Sequence, residues 1–285
     1  MRHPTYALLA LLALLAPLAA CSGDKDKGDD SALTTDDTQD STDSGGDDTN
    51  EDSDPDDTGD TQDTDDTSDT SDTSDTDTGE PSFEPLDGFG ALSGDCGVLT
   101  EALLSDAAPG LYVNTLDFGA ESFDASLLSE GGQKVYEDGN LGGSSLLSEV
   151  FAYEVLYRCE LATLLKTEGE IVYTDTGGKK TDLLVEIDGL KLGVSVTRAY
   201  HYPPDDPYTL ALATELLTKK LGDLPLSTAN VAPEDAWVKQ LLSILAYTPE
   251  HAALIEESWL TLDAELRGDA ILIVTATEGA DEELY

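Results

Sequence analysis

The sequence predicts an α/β domain, with a central mixed sheet flanked by helices, after a disordered amino-terminal region. Asp188-Gly189 lies between two apolar runs and is typical of a two-residue hairpin turn, because both residues tolerate positive φ. The segment 270–275 is unbroken, apolar and β-branched, which is typical of a strand buried on both faces. Helical patterns before and between the strand segments favour a central sheet with helices packed against it.

The elements are predicted from apolar periodicity and from helix-capping residues. In chain order they are a weak helix near 99–104, a strong helix over 144–165, strands over 170–174, 182–187 and 190–198, a helix from 206 to 220, an extended piece over 227–231, a helix over 233–247, a helix from 248 to about 267, and the strand over 270–275. Asp206 and Pro207 suit a helix start, and Gly222 suits the position just past its end. Residues 81–140 are rich in Gly, Asp and Ser and predict an irregular lead-in.

The predicted hairpin turn also fixes a strand register. With Asp188 and Gly189 as the turn, Ile187 faces Leu190 and Glu186 faces Lys191. The opposite charges of that second pair support the register, because cross-strand ion pairs are favourable.

Counting further outward places Asp182 opposite Ser195. Side chains alternate between the two faces of a strand, so Thr197 joins Asp182 and Ser195 on one face. A carboxylate and two hydroxyls therefore share a face of this hairpin, which makes it the segment with the clearest chemical potential.

Residues 144–275 resemble the PD-(D/E)XK nuclease superfamily, which has a restriction-endonuclease-like fold, in the order of their elements. In that family a helix carrying Glu precedes a three-strand meander. Glu149 or Glu154 lies on the preceding helix here, and Asp182 opens the second strand. Ser195 stands where the resemblance requires a second carboxylate, and Thr197 stands where it requires a lysine.

The resemblance implies a magnesium site with Glu149 and Asp182 as ligands, since Mg²⁺ prefers hard oxygen ligands. Because the Glu-x-Lys pair is missing, the expected function is a non-catalytic binding or structural domain without a cofactor. The alternative is a metal-dependent phosphodiesterase with an atypical site. In a purely structural interpretation, Glu154 pairs with Arg158 at i,i+4 and Asp182 bonds nearby backbone.

The net charge of the chain limits the classes of partner that it can bind. The 285 residues carry a formal net charge of −46, and in 81–285 acidic residues outnumber basic ones by about three to one. Nucleic-acid binding depends on Lys and Arg contacts to phosphates, so such a partner is not expected. The expected partner is an envelope protein or a small ligand.

The segment 81–285 has a length within the usual range of a single domain.

The first 20 residues have the pattern of an export signal. A basic start with Arg2 is followed by an apolar run from Ala7 to Ala16, which is too short to span a bilayer. Leu18-Ala19-Ala20-Cys21 resembles the lipobox of bacterial lipoproteins. The resemblance implies that Cys21 is lipidated and anchors the chain to a membrane. Ser22 after the cysteine favours the outer membrane by the same resemblance.

The segment 21–80 predicts a disordered tether, and 81–285 is the predicted α/β domain. The tether consists mostly of Asp, Thr, Ser and Gly, with Asp-Thr-Ser triplets over 66–74. Such a composition buries too little apolar surface to offset the entropy of ordering, and its like charges extend it. Its acidic side chains predict diffuse counterion binding rather than ordered calcium sites.

Two cysteines remain after Cys21. Thiols outside the cytoplasm often pair, so a disulfide between Cys96 and Cys159 is one interpretation. In the other, Cys159 is a buried free thiol within a helix. Sequence alone leaves both open, because it does not fix the distance between the two residues.

Overall fold

The computed structural model describes residues 83–142, 144–204 and 206–285. The predicted signal, Cys21 and the tether over 21–80 lie outside the described residues. Within the described residues, no helix is both long enough and apolar enough to cross a bilayer.

The described residues form one sheet of seven strands. The strands are β1 (Ala91–Gly94), β2 (Gly110–Asp117), β3 (Thr163–Thr167), β4 (Leu183–Ile187), β5 (Leu190–Ala199), β6 (Lys239–Ala246) and β7 (Ile271–Glu278). Their order across the sheet is β1-β2-β7-β6-β5-β4-β3. The four central strands β2, β7, β6 and β5 are parallel, and the others pair antiparallel. The predicted α/β class with a mixed sheet is confirmed.

Helices flank both faces of this sheet. They are α1 (Glu101–Ser105), α2 (Glu130–Asp138), α3 (Leu146–Glu160), α4 (Leu210–Asn230), α5 (Pro249–Thr261) and α6 (Ala264–Arg267), with short 3-10 turns at Ala125–Leu127 and Glu282–Leu284. One core lies under α3, and a second lies under α4 and α5. Strands β6 and β7 contact both cores, which is why their residues are almost all buried.

The hairpin register is confirmed. Ile187 pairs with Leu190, and Glu186 pairs with Lys191. Asp188 and Gly189 both have positive φ, as the two-residue turn requires. The strand predicted over 270–275 is also confirmed as part of β7, which continues to Glu278.

The predicted helix over 144–165 is too long. Helix α3 ends at Glu160 because Leu161 takes a left-handed conformation with φ of 55°, and β3 starts at Thr163. The first strand of the meander is therefore β3, and the strand predicted over 170–174 is wrong. In that segment only Tyr173 forms a bridge, to Val231.

The predictions over 206–247 are also corrected. Helix α4 begins after its N-cap Thr209 and continues through Gly222 and Pro225 to Asn230. Residues 227–230 of the predicted extended piece are therefore helical, and only the C-cap Val231 is extended. The predicted helix over 233–247 is instead strand β6. Its eight residues are all buried, and a continuous apolar run has the same pattern in a buried strand as in a buried helix.

The irregular lead-in predicted over 81–140 is wrong as well. It contributes β1 and β2 to the sheet and includes α1 and α2. Strand β2 pairs in parallel with β7 over eight residues. The sheet therefore extends beyond the predicted core of 144–275 on the amino-terminal side.

Candidate functional site: an acidic cluster beside the meander

Three carboxylates converge at one end of the antiparallel meander. Glu149 lies in the first turn of α3, Glu168 directly follows β3, and Asp182 directly precedes β4. Antiparallel pairing of Thr167 with Leu183 puts the end of β3 beside the start of β4. One oxygen from each carboxylate lies within 4.8 Å of the other two. We call Glu149, Glu168 and Asp182 the acidic cluster.

Neutral groups hold each member of the acidic cluster in place. The Asn140 side-chain amide donates to Glu149 Oε1 at 2.9 Å, and the Ser145 hydroxyl donates to the same oxygen at 3.2 Å. The backbone N–H of Leu141 donates to Glu168 Oε2 at 2.8 Å. These bonds orient the carboxylates without neutralising their charge, so the α2–α3 connection is tied directly to the cluster.

Asp182 is held across the hairpin. Its Oδ2 accepts from the backbone N–H of Val196 at 2.6 Å, and its own N–H donates to Val194 O at 3.0 Å. The bonding to nearby backbone expected of Asp182 is therefore present, together with its place in the cluster.

The environment of the cluster disfavours ionisation. Burial raises the pKa of Glu149 to about 7, and the charges of Asp182 and Glu168 act in the same direction. Burial also raises the pKa of Asp182 to about 6, and Glu168 again adds to the effect. Close carboxylates that are partly desolvated resist holding several negative charges together, and a bound cation would relieve that cost.

One lysine lies near the cluster without pairing with it. Among the described residues, no salt bridge engages Glu149, Glu168 or Asp182. Lys220 on α4 donates to Val196 O at 3.1 Å. Burial raises the pKa of Asp182, and the positive charge of Lys220 offsets part of that rise. An ammonium group therefore lies beside β5, the strand on which the nuclease resemblance requires a lysine and the sequence has Thr197.

The structure separates the two glutamates that the sequence offered on α3. Glu154 Oε2 lies 2.8 Å from Arg158 Nη2, and both side chains are buried. Its other oxygen accepts from the Ser129 backbone at 2.8 Å and from the Ser129 hydroxyl at 2.7 Å. The predicted i,i+4 pair is confirmed. Glu154 is thus a neutralised structural group, whereas Glu149 joins the cluster.

The sequence-based prediction brought together Glu149 and Asp182 but missed Glu168. The omission follows from the misplaced first strand, because a strand ending at Thr167 would have put Glu168 next to Asp182. Ser195 is buried on β5 beside Asp182, and Thr197 is half-buried further along the strand.

A small cleft lies beside the cluster. It has a volume of about 270 Å³, and its walls include Asn140, Leu141 and Thr167. Asp138 and Glu170 also line the cleft, and Lys134 forms salt bridges with both, at 2.6 Å and 2.9 Å. The cleft gives solvent a route towards the α2–α3 connection that holds Glu149 and Glu168.

The two remaining cysteines form a disulfide. Cys96 and Cys159 are joined with an S–S distance of 1.98 Å, and the backbone N–H of Gly97 donates to Cys159 O. The bond links the segment after β1 to the last turn of α3. The structure thus resolves the two interpretations of Cys159 in favour of the disulfide.

Comparison with known proteins adds little about activity. The chain is 37% identical over 154 residues to the AAC-rich mRNA clone AAC4 protein of Dictyostelium discoideum, a match that covers 52% of this chain and 22% of that protein. The chain thus spans about a fifth of the length of this relative. No protein-family model matches the chain, and no solved structure matches it.

Proposed function

We propose that the chain is a lipid-anchored protein of the bacterial cell envelope whose α/β domain binds one hard divalent cation at the acidic cluster. The observation behind this proposal is the convergence of Glu149, Glu168 and Asp182 within 4.8 Å of one another. Carboxylate oxygens without His or Cys suit Ca²⁺, Mg²⁺ or Mn²⁺ rather than softer metals.

The anchor rests on the lipobox-like stretch that ends at Cys21, with the outer membrane as the expected location. Lipidation at Cys21 is tested by labelling cells with radioactive palmitate and comparing wild type with Cys21→Ala. We expect label on the wild-type protein alone, in the membrane fraction. Equal labelling of both proteins, or none on either, would refute the anchor.

The cation is tested with Mn²⁺ and electron paramagnetic resonance on the full chain at about 0.15 M salt, where diffuse binding to the tether is screened. The variant Glu149→Gln should lose one tightly bound ion per chain. Glu170→Gln removes a charge two residues from Glu168 but lies outside the cluster, so it should keep that ion. Loss of an ion in both variants would indicate a general charge effect instead.

A second candidate function is a metal-dependent phosphodiesterase, and the position of Lys220 favours it. Helix α3, the β3-β4-β5 meander, helix α4 and strand β6 follow the element order of the nuclease superfamily named above. In this proposal a cation bound by the cluster would polarise the phosphate, and Lys220 would supply the positive charge that Thr197 lacks. The acidic surface favours a small phosphodiester over a polyanion.

The hydrolase is tested with bis(p-nitrophenyl) phosphate and Mn²⁺. We expect cation-dependent release of nitrophenol that falls in Lys220→Ala and in Asp182→Asn. Lys219→Ala, on the neighbouring exposed position, is the matched control. If the wild type binds Mn²⁺ and releases no nitrophenol above the rate of Asp182→Asn, the domain is a binding module.

A further inference from the structure

A second cavity lies away from the acidic cluster, where α4 passes the starts of β6 and β7. Its volume is about 430 Å³, which is within the usual range of small-molecule sites. The walls include the apolar side chains of Leu221, Leu224, Trp237 and Leu266. None of the residues around this cavity belongs to the acidic cluster, so it is independent of the function proposed above.

The indole wall of this cavity is fixed in place. Trp237 lies against the backbone of Gly193, where a Cβ atom would sit 2.8 Å from the ring. Its Nε1 donates to the Thr228 hydroxyl at 3.0 Å. A wall that is already ordered loses little entropy when a ligand binds, which favours binding of an apolar body.

Arg267 gives the cavity a charged group without a carboxylate partner. The salt bridges in the described residues use Lys134, Arg158, Lys166 and Lys179, and none engages Arg267. Its guanidinium lies over the ring of Trp259 at 5.7 Å, and its Nε is buried without a hydrogen-bond partner. The side chain is half-buried along the cavity wall.

An unpaired guanidinium is notable in a chain with a net charge of −46. Its planar set of N–H groups matches a carboxylate better than a lysine ammonium does. Glu265 and Asp269 also lie along this cavity, but both are exposed, so water screens their repulsion of an anion.

We propose that this cavity binds a small amphipathic monocarboxylate. The carboxylate pairs with Arg267, and the apolar body lies against Trp237 and Leu224. The apolar walls supply most of the affinity through burial, and the guanidinium selects the anionic headgroup.

The proposal is tested with decanoate and, as its neutral analogue, decanol. Calorimetry on the full chain at about 0.15 M salt measures the affinities. The chain has 2 tryptophans, so fluorescence can also locate the site. Decanoate should change the fluorescence of wild type and of Trp259→Phe, in which Trp237 on the cavity wall is the remaining indole. An unchanged spectrum of Trp259→Phe at saturating decanoate would place the ligand elsewhere and overturn the proposal.

The headgroup is tested with Arg267→Gln, which should weaken decanoate about tenfold and leave decanol unchanged. The matched control Lys219→Gln removes a charge from α4 outside this cavity and should bind decanoate as wild type does. Equal affinity of wild type for decanoate and decanol would refute the anionic headgroup, even if Arg267→Gln fails to fold. Failure of wild type to bind decanoate would refute the site.

Discussion

Helix α3 buries two glutamates, Glu149 in its first turn and Glu154 near its middle, and their surroundings differ. Glu154 is 1% exposed and is matched by Arg158, whereas Glu149 is 2% exposed and faces Glu168 and Asp182. The first arrangement is complete within the protein, because the charges cancel. The second leaves negative charge in a partly desolvated place, which is costly for folding and useful for binding a cation.

The largest expected effect on stability comes from removing the buried ion pair between Glu154 and Arg158. Arg158→Ala leaves Glu154 buried without its counter-ion and also removes the hydrogen bonds from Arg158 to the carbonyls of Asp87 and Leu127. We expect a loss of about 3–5 kcal/mol in the free energy of unfolding, measured with urea. Glu149→Gln should cost far less or stabilise the apo protein. Similar losses for both variants would remove the distinction between the two glutamates.

The disulfide should have the next largest effect. Cys96 and Cys159 are 63 residues apart, so their bond restricts a long loop of the unfolded chain. The double variant Cys96→Ser/Cys159→Ser should lower the free energy of unfolding by about 2–4 kcal/mol. This loss should be independent of added cation, because the bond lies at the end of α3 away from Glu149. A loss that changes with Mn²⁺ would contradict the separation of the two regions.

Cation binding should stabilise the folded domain at neutral pH. At a concentration about 100 times its dissociation constant, Mn²⁺ adds about 2.7 kcal/mol, which raises the melting temperature of a domain of this size by several degrees. Glu149→Gln and Glu168→Gln should each lose most of this shift in calorimetric melting. Glu170→Gln should retain it, and an equal loss in that control would argue against a specific site.

The acidic cluster should also make the free energy of unfolding depend on pH. This effect should be smaller than those above and opposite in sign to that of most carboxyls. The folded-state pKa values of Glu149, about 7, and Asp182, about 6, lie above their ordinary values of 4.5 and 3.8. The folded state therefore holds protons that the unfolded state releases, so this stabilisation is complete below about pH 4 and is lost as pH rises through about 7.

Without cation, wild type should lose about 1–2 kcal/mol relative to Glu149→Gln between pH 5 and pH 8. Other carboxyls, such as Asp138 and Asp235, have lowered pKa values and change stability in the opposite direction. The difference between the two proteins removes that common background. Parallel pH profiles in urea unfolding would contradict the raised pKa of Glu149.

The sequence was sufficient where a local signal is unambiguous. Asp188-Gly189 gave the hairpin and its register, and the β-branched run at the start of β7 gave a buried strand. It was insufficient where packing decides the structure. The all-buried residues of β6 have no periodicity that separates a strand from a helix. Pro225 lies inside α4, although proline normally ends a helix.

The same reasons explain the candidate site. Glu149 and Asp182 were predicted because a helix before a meander and a carboxylate at a strand start are visible in sequence. Glu168 was hidden because α3 ends at the left-handed Leu161, a leucine in a conformation that usually favours glycine. Without that boundary, β3 could not be recognised and its exit could not be aligned with Asp182.

The most direct test of the acidic cluster is a calorimetric titration of Mn²⁺ into wild type and Glu149→Gln at pH 6.5, in two buffers with different ionisation enthalpies. We expect one tight site in wild type, with proton release on binding, because the cation displaces protons held by carboxyls of raised pKa. In Glu149→Gln both the site and the buffer dependence should disappear. Identical titrations of the two proteins would contradict the account.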